Sequence, residues 1–115
     1  MIRLDINTYF DGRGLARLEV AGEIDGDTAD QVVQAVEKVL GGDALGAIQV
    51  DFSGVTFLGS AGIRALLTAR RIAGEHGVAL CLTEVHGYVL EVLKIMGLLD
   101  LLGRPPAKGS AALGG

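Results

Sequence analysis

The chain is poor in the residues that small proteins use for cross-linking or for difficult chemistry. Its 115 residues include one cysteine, two histidines and no tryptophan. A single cysteine, Cys81 within VALCL, excludes an internal disulfide and leaves no cysteine pair for a metal, a usage that fits a reducing cytoplasm. The two histidines, His76 and His86, form no paired-ligand spacing, and no glycine-rich phosphate loop runs into a lysine. Nucleotide hydrolysis and metal catalysis therefore have no residues to assign, and no cofactor is expected. Basic clusters are also missing. The formal charge is −4, and Arg70-Arg71 is the longest cationic run, so the field that holds a phosphate backbone is absent and nucleic acid is not an expected partner. No stretch approaches the ~18 apolar residues of a membrane span, and the N-terminus carries a charge every second residue rather than an apolar signal core. The expectation is a soluble, unprocessed, cytoplasmic protein that does not insert into membranes.

What is present is aliphatic. Half the residues are apolar but only five are aromatic, and the eighteen glycines fall between periodic segments, the composition of a single domain with an aliphatic core. Ile2, Leu4 and Ile6 alternate with Arg3, Asp5 and Asn7, and after Asp11-Gly12 and Gly14 the run LARLEVAG alternates again. That pattern predicts an antiparallel hairpin. In GDTADQVVQAVEKVLGG, Asp27 is the expected N-cap, with Asp30 in the first turn. Ala29, Val32, Val33, Val36, Val39 and Leu40 trace one apolar stripe, closed by Gly41-Gly42. AIQVD reads as a strand reached by a helical crossover and so parallel to LARLEVA. VALCL, apolar throughout, reads as a central strand covered on both faces. A helix over 87–96 follows, with Val89, Leu93 and Met96 inward, and LLDLL is a candidate last strand. The order ββαβαβα(β) predicts an α/β fold, a mixed sheet of four to five strands packed with three to four helices. Residues 104–115, rich in small residues with two prolines and no periodicity, are expected to be a disordered tail.

The most informative stretch is VDFSGVTFLGSAGIRA, residues 50–65. A strand runs out with Asp51 and Ser53 closing it, and Gly54, Gly59 and Gly62 permit bends. A helix begins near Ala61, which places Ser60 at or near a helix N-terminus beside free N–H groups and the positive end of the dipole. Serine is also a favoured N-cap, and Asp25, after Gly22 at a strand end, has the simple reading of a turn acid.

DFSGVTFLGSAGI, with GEIDGDTA upstream and KIMGLLDLL downstream, resembles the STAS domain family, and within it the single-domain anti-sigma factor antagonists. The resemblance spans residues 2–103. The family signature Asp-x-Ser-x-x-x-Phe-x-Asp-Ser-x-Gly is met by Asp51, Ser53, Phe57, Ser60 and Gly62, and Gly59 stands where the family has an acid. The resemblance implies a STAS domain over residues 1–103 with no enzymatic activity of its own. Ser60 would be phosphorylated by an anti-sigma factor that is also a serine kinase, and a serine phosphatase would be a second partner. Asp25, Asp27, Gly59, Ser60, Ala61 and Gly62 would meet the partner.

Two other readings stay open. One is a STAS docking module, an accessory subunit of a transporter or signalling complex, whose serine is never modified. The other is a serine hydrolase, because strand, sharp turn, serine and helix also describe a nucleophile elbow. His76, about fifteen residues along the serine's own helix and hence ~20 Å away, cannot serve as its base. His86, with Glu84 or Asp25 as orienter, is the candidate that remains.

Overall fold

A computed structural model describes residues 3–42 and 44–103. Ile2 and the expected tail lie outside the described residues. The hairpin is made by Asp11, whose Oδ1 accepts from the N–H groups of Arg13 at 2.6 Å and Leu15 at 3.0 Å. Gly12 and Gly14 take φ of 76° and 94°, so a side-chain acceptor and two left-handed residues reverse the chain. Strands β1 (Leu4–Phe10) and β2 (Leu15–Ile24) then pair antiparallel, from Leu4 opposite Gly22 to Phe10 opposite Ala16. Ala16, Leu18 and Val20 are buried, as the period-two pattern requires.

Helix α1 (Ala29–Leu40) buries Ala29, Val32, Val36 and Val39 and returns the chain for β3 (Ala47–Leu58), which lies parallel to β2. Helix α2 (Ser60–Glu75) packs on α1 and leads to β4 (Ala79–Thr83), parallel to β3. Helices α3 (Gly87–Ile95) and α4 (Leu99–Leu102) follow, packed against β3 and β4 respectively, and are the last elements among the described residues. The result is the mixed α/β fold anticipated, four strands in the order β1-β2-β3-β4 with four helices. Its core is aliphatic, with Phe52 the one aromatic among the fully buried side chains of the described residues.

Several local expectations are corrected. VALCL is not central: β4 is the edge of the sheet. Leu80, Cys81 and Leu82 are buried in succession, which reports cover on both faces and says nothing of lateral neighbours. LLDLL forms the short α4 rather than a strand, with Leu102 as its buried residue. Met96 is the C-cap of α3 and 55% exposed instead of inward. Asp51 and Ser53 do not close β3, which runs on to Leu58; Gly54 marks an irregularity in the ladder, where the register to β2 shifts between Glu19 and Ala21. A Cβ on Gly54 would come within 2.7 Å of the Ala21 Cβ, so this glycine serves close strand approach at a bulge.

Candidate functional site

The carboxyl ends of the parallel strands β2 and β3 meet at one rung, Ile24 opposite Leu58. The next residue on β3's side closes the edge: the Gly59 N–H donates to the Ile24 carbonyl at 2.9 Å. Gly59 is the N-cap of α2, extended at φ −94° and ψ −179°, and Ser60 is the first helical residue. Ser60 is therefore not a cap. No side chain caps α2, and within the described residues the exposed Ser60 hydroxyl has no hydrogen-bond partner. It stands over a helix terminus whose first N–H groups lack intrahelical acceptors.

Gly62 fixes how closely that helix start approaches β2. A Cβ there would lie 2.7 Å from Ile24 Cγ2, 2.7 Å from Leu58 Cδ1 and 2.8 Å from the Ile24 carbonyl oxygen. With hydrogen in that place, the first turn of α2 seats directly on the last residue of β2. Ala61 is half-buried between the exposed Ser60 and the buried Gly62.

On the other side of the rung, Asp25 organises the β2–α1 turn. Its Oδ1 accepts from the N–H groups of Asp27 at 2.9 Å and Thr28 at 3.2 Å. The Thr28 hydroxyl donates to the Glu23 carbonyl at 2.7 Å and accepts from the Asp25 N–H at 3.0 Å. Asp27, expected as the N-cap of α1, is instead an exposed turn residue; Thr28 stands at the N-cap without a side-chain cap bond, and the Asp25 carboxylate ties down the turn that precedes the helix. The turn-acid reading of Asp25 thus holds, at the same edge as Ser60.

Asp51 acts as a local support, its Oδ1 accepting the Ser53 N–H at 2.8 Å. The Ser53 carbonyl accepts Nε2–H of His86 at 2.9 Å. This bond bears on the hydrolase reading: His86 spends its Nε2 proton on a backbone carbonyl, so that nitrogen is no base for a serine. His76 ends α2, where Nδ1–H donates to the Ile72 carbonyl at 3.0 Å. The described residues hold no group of three or more metal-ligating side chains.

The sequence reading missed one residue of this edge. Phe57 and Tyr88 stack with centroids 6.0 Å apart and planes 11° from parallel, and they are 37% and 57% exposed. Phe57 was read only as part of a signature, and Tyr88 not at all. A signal existed, since Tyr88 falls off the Val89–Leu93 stripe of α3, where a helical period leaves an aromatic ring in water.

Strand order and edge together define a small mixed α/β domain whose candidate site is a rim of loops rather than a cleft. The chain belongs to the STAS domain family, matching over residues 11–103 the family model described as "Mlab, STAS domain". Among solved structures it is similar to an anti-sigma factor antagonist from Mycobacterium paratuberculosis, at TM-score 0.74 and 25% identity over 87% of this chain and 83% of that one. The anti-sigma factor antagonist SpoIIAA in its unphosphorylated form matches at TM-score 0.72 and 18% identity, over 85% of each chain. A sulfate transporter family protein from Wolinella succinogenes matches at TM-score 0.68 and 19% identity, over 79% of this chain and 73% of that one. No curated protein sequence matches the chain. Among the described residues no helix is long and apolar enough to cross a membrane.

Proposed function

We propose that this protein is an anti-sigma factor antagonist: with Ser60 unmodified it binds an anti-sigma factor of the serine-kinase type and so frees a sigma factor, and phosphorylation of Ser60 ends that binding. The observation that carries the reading is the Ser60 hydroxyl, exposed, without an internal partner and raised on a helix start that Gly62 seats on Ile24. A hydroxyl so held is open to a kinase, and a helix N-terminus tolerates the −1.5 to −2 charge of a phosphate. A partner face fitted to a neutral hydroxyl does not. At ~6 Å from a carboxylate, in an effective dielectric of ~40, each added unit of charge costs about 1.4 kcal/mol. With lost packing the penalty reaches roughly 3–5 kcal/mol, a factor of a few hundred or more in affinity. The contact surface is Asp25, Asp27, Gly59, Ser60 and Ala61, with the buried Gly62 supporting it from beneath, and a serine phosphatase resets the switch.

A second reading, an accessory STAS module of a transporter that docks without modification, draws support from Gly59 in place of the family's acid and from the likeness to a transporter-family protein. Incubation with the cognate kinase and ATP, followed by mass spectrometry, separates the two. Phosphate on Ser60, with Ser60→Ala a constitutive binder and Ser60→Asp a weak binder that melts like the parent, is the expected result. An unmodified Ser60 under those conditions selects the docking module.

A further inference from the structure

The Phe57–Tyr88 pair belongs to neither the core nor the phosphorylation chemistry, yet three features hold it beside Ser60. The bond from His86 Nε2–H to the Ser53 carbonyl pins the loop that opens α3, two residues before Tyr88. Gly59 leaves room for Phe57, since a Cβ there would lie 3.2 Å from Phe57 Cε2. Phe57 itself is the rung opposite Glu23 in the β2–β3 ladder. Where the family carries an acid beside the serine, this chain has Gly59, next to an exposed aromatic pair.

The loops that bear that surface are predominantly acidic. The segments 23–28, 56–62 and 83–91 contain five carboxylates, Glu23, Asp25, Asp27, Glu84 and Glu91, and no lysine or arginine; the cations that flank them are Arg64, on the second turn of α2, and Arg3, which precedes the Leu4–Gly22 pair and so lies beside Glu23. Exposed rings rimmed by carboxylates select a desolvatable, delocalised cation over an apolar group.

The geometry points to a cation-binding platform: Phe57 and Tyr88, flanked by Glu23 across the ladder and by Glu91 one helical turn beyond Tyr88, receive an arginine side chain from a basic segment of the protein partner. This rests on the reading that the Ser60 edge faces a protein partner, but its test needs neither kinase nor partner. The probe is the capped peptide acetyl-Gly-Arg-Gly-Arg-Gly-amide, titrated into the full ¹⁵N-labelled chain, against the same peptide with citrulline, a neutral isostere of arginine. The arginine peptide is expected to give saturable amide shifts centred on Gly59, Ser60, Tyr88 and Glu91, and the citrulline peptide shifts several-fold weaker. Tyr88→Leu, which keeps bulk and removes the ring, should weaken binding about two- to fivefold, and Glu91→Gln should weaken it without moving the site. Equal binding of the citrulline peptide, unchanged binding to Tyr88→Leu, no saturable shifts, or shifts centred on Asp5 and Glu19 of the hairpin would each overturn the platform. Its failure leaves the phosphorylation result standing, and an unphosphorylated Ser60 leaves the peptide result standing.

Discussion

Gly62 and Ile24 are packed so tightly that a methyl group on the first would overlap the second: the added Cβ would sit 2.7 Å from Ile24 Cγ2. Of its three contacts, with Ile24 Cγ2, Leu58 Cδ1 and the Ile24 carbonyl oxygen, two are rigid: a β-branched side chain buried at the strand end and the backbone carbonyl. Gly62→Ala is therefore expected to cost about 1–3 kcal/mol by overpacking. Gly59→Ala, whose nearest contact is the half-exposed Phe57 ring at 3.2 Å, should stay within ~0.5 kcal/mol. Urea denaturation of the two variants checks the contrast, and equal losses would mean that the helix start is free to shift.

Leu80 is buried on β4 at 1% exposure, and its position on an edge strand does not lessen the cavity its truncation would leave. Leu80→Ala should cost about 2–5 kcal/mol, and Arg3→Ala, at an exposed residue, should be near neutral. A small loss for Leu80→Ala in chemical denaturation would contradict the double cover of β4.

Asp25 has a structural task as well as its place at the proposed partner face, so the two must be separated by the choice of variant. Asp25→Ala removes the acceptor for two backbone N–H groups and should cost about 0.5–2 kcal/mol, in the manner of a lost helix cap. Asp25→Asn keeps an acceptor oxygen and should lose less than half of that. The asparagine variant is then the one whose partner association rate and salt dependence report the charge alone.

Burial pushes the Cys81 thiol above its ordinary value, through desolvation of the thiolate. A raised folded-state value means that the native chain holds its proton more tightly than the unfolded one. The associated stability is complete below the unfolded thiol's titration and is lost as pH rises through the folded one, so alkaline pH should destabilise the parent more than Cys81→Ala. Native Cys81 should also react with iodoacetamide at pH 8 roughly tenfold or more slowly than in urea. Equal rates would place the thiol at the surface.

The elements that the sequence disclosed are those in which a single period is unbroken. The β1–β2 hairpin alternates without interruption to its turn residues, and α1 keeps Val32, Val36 and Val39 on one stripe. Strand β3 was legible only in its first half because the bulge at Gly54 interrupts the alternation. Its later buried residues, Phe52, Val55 and Leu58, follow at intervals of three, which no longer reads as a strand. Edge position was hidden for a different reason: apolarity above and below a strand records helices, whereas its lateral neighbours are backbone and leave no mark on side-chain type. At the site, Ser60 and Gly62 could be placed from the strand-to-helix transition alone. The Phe57–Tyr88 pair could not, because it joins segments about thirty residues apart whose proximity is set by the packing of α3.

The hydrogen bond from Gly59 to Ile24 ties together two residues separated by the whole α1 crossover. Its amide proton can exchange with solvent only when that bond opens, whereas the neighbouring Ser60 and Ala61 amides, in the first turn of α2, have no intrahelical acceptor to release. Protected and unprotected amides thus meet across a single peptide unit. The exposed serine rides on a residue tied back to the neighbouring strand, so a charge placed on its hydroxyl would be felt at the surface and hardly at all by the fold beneath.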